Sequence, residues 1–81
     1  MKAKVYVTLK ESIADPQGNA IKDALDKKGY EGVEDVRIGK LIEVELKDMD
    51  KEKAKKKLDE MCEKLLANTV IEKYEFEILD E

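Results

Sequence analysis

The chain of 81 residues contains no histidine and no tryptophan, and it has one cysteine and one proline. Without histidine it lacks the commonest general base and the commonest metal ligand of enzyme sites. The single serine, Ser12, therefore has no imidazole to activate it as a nucleophile. Carboxylates are plentiful, but they fall on faces that the patterning predicts to be solvated, and no acid–base pair stands out. We predict no catalytic residue on this chain.

The lone cysteine, Cys62, excludes an internal disulfide and a Cys-x-x-Cys motif. It lies on an apolar helical stripe, whereas nucleophilic thiols need an accessible, electropositive site. We therefore expect a buried structural thiol in a reducing compartment, with no metal and no cofactor bound to the chain.

Long apolar runs and excess positive charge are also missing. No segment approaches the roughly 18 apolar residues of a membrane span, and the N-terminus enters a strand pattern without the apolar core of a signal peptide. Charged residues make up 44% of the chain, and the net charge is -4. Because domains that neutralise phosphates are usually basic, we expect a cytoplasmic protein that binds neither nucleic acid nor membranes.

Alternation of apolar and polar residues predicts a first strand over 3–10 and a last strand over 70–78. Asp15 and Pro16 are typical of a helix start, and the apolar positions that follow have helical spacing: Ala20, Ile21, Ala24 and Leu25. A second helix is predicted from an Asp50 cap to Asn68 in the left-handed conformation, with this buried stripe: Ala54, Leu58, Met61, Cys62, Leu65 and Leu66. The lysines of 51–57 are expected on its solvated face, or else form an anion-binding patch.

The segment around Gly39 is open to two interpretations. A three-residue turn, Gly39–Leu41, would pair Ile38 with Ile42 and keep the apolar faces together. One long strand bent at Gly39 would keep them together as well. The two alternatives give βαββαβ and βαβαβ, and we favour the hairpin.

This order of elements predicts a single domain, 1–81, of the α+β class, with a ferredoxin-like antiparallel sheet and two helices on one face. A domain of this size buries only about 60% of its unfolded surface, so self-association into a dimer or tetramer is expected. The last strand carries apolar residues on both faces, which suggests that it takes part in the assembly.

Two short motifs are not explained by patterning alone. In Asp15-Pro16-Gln17-Gly18, helix capping accounts for the first two residues, but glycine is a poor choice in a first helical turn. It suggests close approach by another backbone or by a bound group. In Arg37-Ile38-Gly39-Lys40, two cations flank a glycine, which is typical of a bend or of a surface for an acidic partner.

Three stretches, taken in order, resemble the PurS family: VYVTLKESIADPQGNAI (5–21), VEDVRIGK (33–40) and CEKLLANTVIEKYEFEI (62–78). The resemblance implies the small accessory subunit of phosphoribosylformylglycinamidine synthase, an ATP-dependent glutamine amidotransferase of purine biosynthesis. It implies an adaptor that joins a glutaminase subunit to a large synthetase subunit, with ATP and magnesium on the synthetase. Eight residues match motif positions and are carried over as partner-interface or fold positions: Asp15, Pro16, Gln17, Gly18, Arg37, Gly39, Lys40 and Asn68.

Two other functions remain open at this point. One is a regulatory module that binds a small molecule on the same fold, for which the Asp15–Gly18 loop offers a thin match. The other is an unrelated oligomeric scaffold.

Overall fold

The computed structural model describes residues 1–80. The strands and helices follow in the order β1 Lys2–Leu9, α1 Pro16–Lys27, β2 Gly39–Glu45, α2 Lys51–Met61 and β3 Glu72–Leu79, with a π-helical turn, Cys62–Leu66, directly after α2. The sheet is antiparallel in the order β2-β1-β3, so β1 lies in its centre. The α+β, ferredoxin-like class is confirmed, with three strands in residues 1–80.

The core lies between one face of the sheet and α2. Alternation along β1 buries its apolar side chains on that face, and Val5 pairs with Ile42 on one side and Phe76 on the other. From α2 and the π-helical turn, the buried side chains are Ala54, Leu58 and Cys62. Cys62 is thus the buried thiol expected, and desolvation, aided by the Asp59 and Glu63 carboxylates, raises its pKa.

The hairpin favoured around Gly39 is wrong, because the structure has the βαβαβ order and β2 begins at Gly39 itself. The residues just before Gly39 bond elsewhere. The Ile38 amide donates to the Asp15 carboxylate, and the Arg37 guanidinium donates to carbonyls of the β1–α1 connection. The segment before β2 is therefore held against the start of α1 instead of folding back on the strand that follows.

The end of the second helix also differs from the expectation. A π-helical turn holds more residues than an α-helical turn, so it rotates the residues that follow around the helix axis. Leu65, expected in the core, is 82% exposed, and Ala67 is buried in its place. Asn68 is not left-handed, since every residue with positive φ in 1–80 is a glycine. Asp50 occupies the N-cap position of α2, but its side chain makes no capping hydrogen bond.

Helix α1 projects away from the rest of the chain. Its only buried residue is Gly18, and most of its apolar stripe is exposed, with Ile21 41% accessible. The radius of gyration is 16.2 Å, whereas a compact chain of this length has one of about 12 Å. The stripe predicted from spacing is present, but the chain itself does not cover it.

Candidate functional site

The two motifs and Asn68 meet at one end of the sheet, where β1 ends and β2 and β3 begin. Gly39 pairs with Thr8, and Glu72 pairs with Leu9. We call the following residues the motif cluster: Asp15, Gly18, Arg37, Ile38, Gly39, Lys40, Asn68 and Glu72.

Asp15 is the buried centre of the motif cluster, with 4% of its surface exposed. One carboxylate oxygen accepts from the Gly18 amide at 3.0 Å, which caps α1. The other accepts from the Ile38 amide at 2.7 Å. These two amides, the Ile38 amide foremost, and the nearby Arg37 charge lower the pKa of Asp15. One carboxylate thus joins the start of α1 to the segment that leads into β2.

Gly18 is required by close approach of that same segment. A Cβ here would collide with the Val36 carbonyl oxygen and lie 2.8 Å from an Asp15 carboxylate oxygen. The other backbone expected near this glycine is therefore that of Val36. Glycine is required at position 39 for a similar reason, because a Cβ there would lie 2.9 Å from the Val7 carbonyl oxygen on the neighbouring strand.

Arg37 fastens the β1–α1 connection. Its Nη2 donates to the carbonyl oxygens of Lys10 at 3.0 Å and Ile13 at 3.1 Å. The Lys10 amide in turn donates to the carbonyl oxygen of Ile71, just before β3. The guanidinium therefore satisfies backbone acceptors within the chain, and it also lines an open cleft of about 390 Å³ together with Glu11 and Lys73.

Lys40, Glu72 and Asn68 form the other side of the cluster. The Lys40 ammonium lies 3.3 Å from one Glu72 carboxylate oxygen, and the Asn68 amide donates to the other at 2.7 Å. The Asn68 amide is the leading cause, and Lys40 a lesser one, of the lowered pKa of Glu72. Nothing in the sequence pattern singles out Glu72, which is one of several glutamates that alternate along the last strand.

The remaining motif residues lie at the rim. Pro16 is the first residue of α1, and Gln17 is exposed beside a cleft of about 260 Å³ that Lys40 and Glu72 also line. Within residues 1–80 no cluster of three or more cysteine or acidic side chains could hold a metal ion. Over the same residues, no helix has the length and apolar character needed to cross a bilayer. The hydrogen bonds and the ion pair of the motif cluster hold backbone segments in place and so shape the surface at this end of the sheet.

The dependence of thermal stability on pH in the acid range should reveal the contribution of Asp15. Because its folded pKa lies below the ordinary 3.8, the stability it contributes is complete above that value and is lost as pH falls through the folded pKa. We expect Asp15→Asn to lower Tm by roughly 5 °C at pH 6. The difference from wild type should shrink below about pH 4. Melting curves from pH 2 to 7 measure this, and a constant difference would contradict it.

Comparison with known proteins identifies the family to which the chain is similar. Residues 2–80 match the family model "PurS: Phosphoribosylformylglycinamidine (FGAM) synthase". The phosphoribosylformylglycinamidine synthase subunit PurS of Bacillus subtilis is 53% identical, over 95% of this chain and 90% of its own. The crystal structure of Methanocaldococcus jannaschii PurS, described as a subunit of formylglycinamide ribonucleotide amidotransferase in the purine biosynthetic pathway, superposes with a TM-score of 0.83. That chain is 39% identical, over 94% of this chain and 92% of its own.

A structure of PurLQS from Thermotoga maritima contains a chain that superposes with a TM-score of 0.86. It is 37% identical, over 96% of this chain and 95% of that one. The likeness spans nearly the full length in sequence and in fold. The chain belongs to the PurS family of phosphoribosylformylglycinamidine synthase subunits.

Proposed function

We propose that this chain is the non-catalytic adaptor subunit of a phosphoribosylformylglycinamidine synthase, joining the glutaminase subunit to the ATP-dependent synthetase subunit. The observation that carries the proposal is the motif cluster. Its polar groups bond to backbone or to each other and so hold three chain segments in place. In this proposal none of them acts as a nucleophile or general base on a substrate. The similarity to a chain of the Thermotoga maritima PurLQS structure supports a place in such a complex.

In this role the chain acts in the cytoplasm, where formylglycinamide ribotide is converted to the amidine. The glutaminase releases ammonia, and the synthetase binds ATP and magnesium to activate the formyl amide oxygen. The adaptor holds these two chains together and binds no cofactor itself. The exposed motif residues Gln17 and Lys40 belong, in this proposal, to a partner interface.

Self-association is part of the same proposal. The apolar stripe of α1 is largely uncovered within the chain, and both β2 and β3 leave one edge unpaired in residues 1–80. A second copy that covers α1 would bury this surface and compensate for a core formed by only one helix. Because β3 pairs with β1 of its own chain along its whole length, it contributes to assembly through its free edge.

Co-elution tests the adaptor role. The purified chain, the glutaminase and the synthetase of the same organism are mixed with glutamine, ATP and magnesium and separated by size exclusion. We expect one complex of all three chains, and no complex of glutaminase with synthetase when this chain is left out. A glutaminase–synthetase complex that forms equally well without the chain would contradict the proposal.

A further inference from the structure

The surface formed by α2 and the π-helical turn carries an apolar groove that lies outside the motif cluster. Met61 and Leu65 line a shallow groove of about 320 Å³, whose rim is formed by Lys57, Glu60 and Lys64. We call these five residues the Leu65 groove. Leu65 is 82% exposed, and Val70, in the turn before β3, is 79% exposed. Isolated exposed leucines are common, but an apolar groove and a second exposed aliphatic side chain five residues further along the chain together indicate a contact surface.

The segment that presents these side chains is firmly held. The Tyr74 hydroxyl lies 2.7 Å from an Asp59 carboxylate oxygen and 2.9 Å from a Glu63 oxygen, which braces the π-helical turn against β3. In the following turn, the Val70 amide donates to the Asn68 side chain, and the Glu72 amide donates to the Asn68 carbonyl at 2.7 Å. The backbone that carries Leu65 and Val70 is therefore held in place before any partner binds, which reduces the entropy lost on association.

The charge around the groove indicates what covers it. Glu60 is neutralised by Lys64 at 2.8 Å. Within residues 1–80, Lys57 is left without an ion-pair partner, so the rim is net positive on a chain of net charge -4. A second copy would bring an identical positive rim, and charge does not favour pairing this surface with itself. The complementary partner is apolar at its centre and carries carboxylates at its edge.

We propose that the Leu65 groove and Val70 dock a non-identical subunit of the same synthase, one that presents an apolar side chain flanked by carboxylates. This inference rests on the proposed function and names one of its contact surfaces. Leu65 and Val70 are the apolar anchors, and Lys57 steers the acidic rim of the partner.

Binding of purified glutaminase and synthetase subunits to immobilised variants of the full chain tests the inference. We expect Leu65→Ser and Val70→Ser each to raise Kd for one of the two subunits by about tenfold or more. Lys57→Glu should act mainly by slowing association at low salt. The matched control is Leu41→Ser, an apolar side chain 53% exposed on the opposite face of the sheet, which should leave Kd unchanged. Tm and the sedimentation coefficient should stay at wild-type values in all four variants.

Three results would overturn the inference. Unchanged Kd values for Leu65→Ser and Val70→Ser, in a chain whose wild type binds, would overturn it alone. Loss of self-association in these variants, with subunit binding retained, would assign the groove to a second copy. A wild-type chain that binds neither subunit would overturn the inference together with the proposed function.

Discussion

Replacing Gly18 by alanine is expected to destabilise the protein by about 2–3 kcal/mol, although alanine is the better helix former by about 1 kcal/mol. The new methyl group would collide with the Val36 carbonyl oxygen, and it would press on the Asp15 carboxylate that holds both α1 and Ile38. Because the contacted atom belongs to the Val36 backbone, the collision can be relieved only if the whole segment before β2 moves. The Arg37 hydrogen bonds to the β1–α1 connection would then be lost as well.

Urea unfolding of Gly18→Ala against Gln17→Ala measures this effect. Gln17 is exposed in the same helical turn, so its replacement changes helix propensity without a collision. The control should unfold within about 0.5 kcal/mol of wild type. If Gly18→Ala were as stable as the control, the segment at Val36 would have room to adjust, and the motif cluster would not be the rigid element described above.

Replacing Ile21 and Leu25 together by serine is expected to convert the assembled protein into monomers at micromolar concentration. Both side chains lie on the apolar stripe of α1, where Ile21 is exposed and Leu25 is half-buried. They contribute little to the stability of a single chain but much to an interface, since a buried aliphatic side chain is worth about 1.5–3 kcal/mol. The loss of both should therefore weaken self-association by at least about a hundredfold.

Sedimentation velocity over a dilution series measures the effect. The control is Asp23→Ser with Lys27→Ser, two exposed positions on the other side of α1 whose combined replacement leaves the net charge unchanged. The control should sediment as wild type does. The prediction would be contradicted by a wild-type chain that is monomeric at every concentration. It would also be contradicted by a double serine variant that stays assembled, since α1 would then not form the interface.

Much of the fold could be predicted from spacing. The alternation of β1 identifies its buried face, and Asp15 and Pro16 mark the start of α1 where the structure has it. These features are encoded locally, by side-chain period and by the preferences of capping residues. The need for glycine at position 18 was also visible, because a helix rarely places glycine in its first turn without a packing reason.

The misplaced features depend on contacts distant in sequence. Whether residues before Gly39 form a strand is decided by the Asp15 carboxylate and by Arg37, which bond to partners more than 20 residues away. The exposure of Leu65 depends on a π-helical turn, which helical spacing cannot show. Glu72 joins the cluster only because Lys40 and Asn68 meet beside it. In each case the residue can be read from the sequence, but its bonding partner or its burial depends on the tertiary structure.

The motif cluster also bears on the small-molecule alternative. Its cations and carboxylates are bound to each other or to backbone groups, and Asp15 has both oxygens occupied. A regulatory ligand at the Asp15–Gly18 loop would have to displace bonds that hold α1 in place. The geometry therefore favours a site that shapes a protein surface over one that binds a metabolite.

Reconstituted synthesis of the amidine, followed with glutamine and separately with ammonium as nitrogen donor, tests the central claim most directly. We expect the purified chain alone to release no ammonia from glutamine and to hydrolyse no ATP, because no histidine is present to activate Ser12 and the single thiol is buried. With glutaminase and synthetase present, adding the chain should restore glutamine-dependent synthesis, while ammonium-dependent synthesis should depend on it far less. Full glutamine-dependent synthesis without the chain, or turnover of glutamine by the chain alone, would contradict its role as a non-catalytic adaptor.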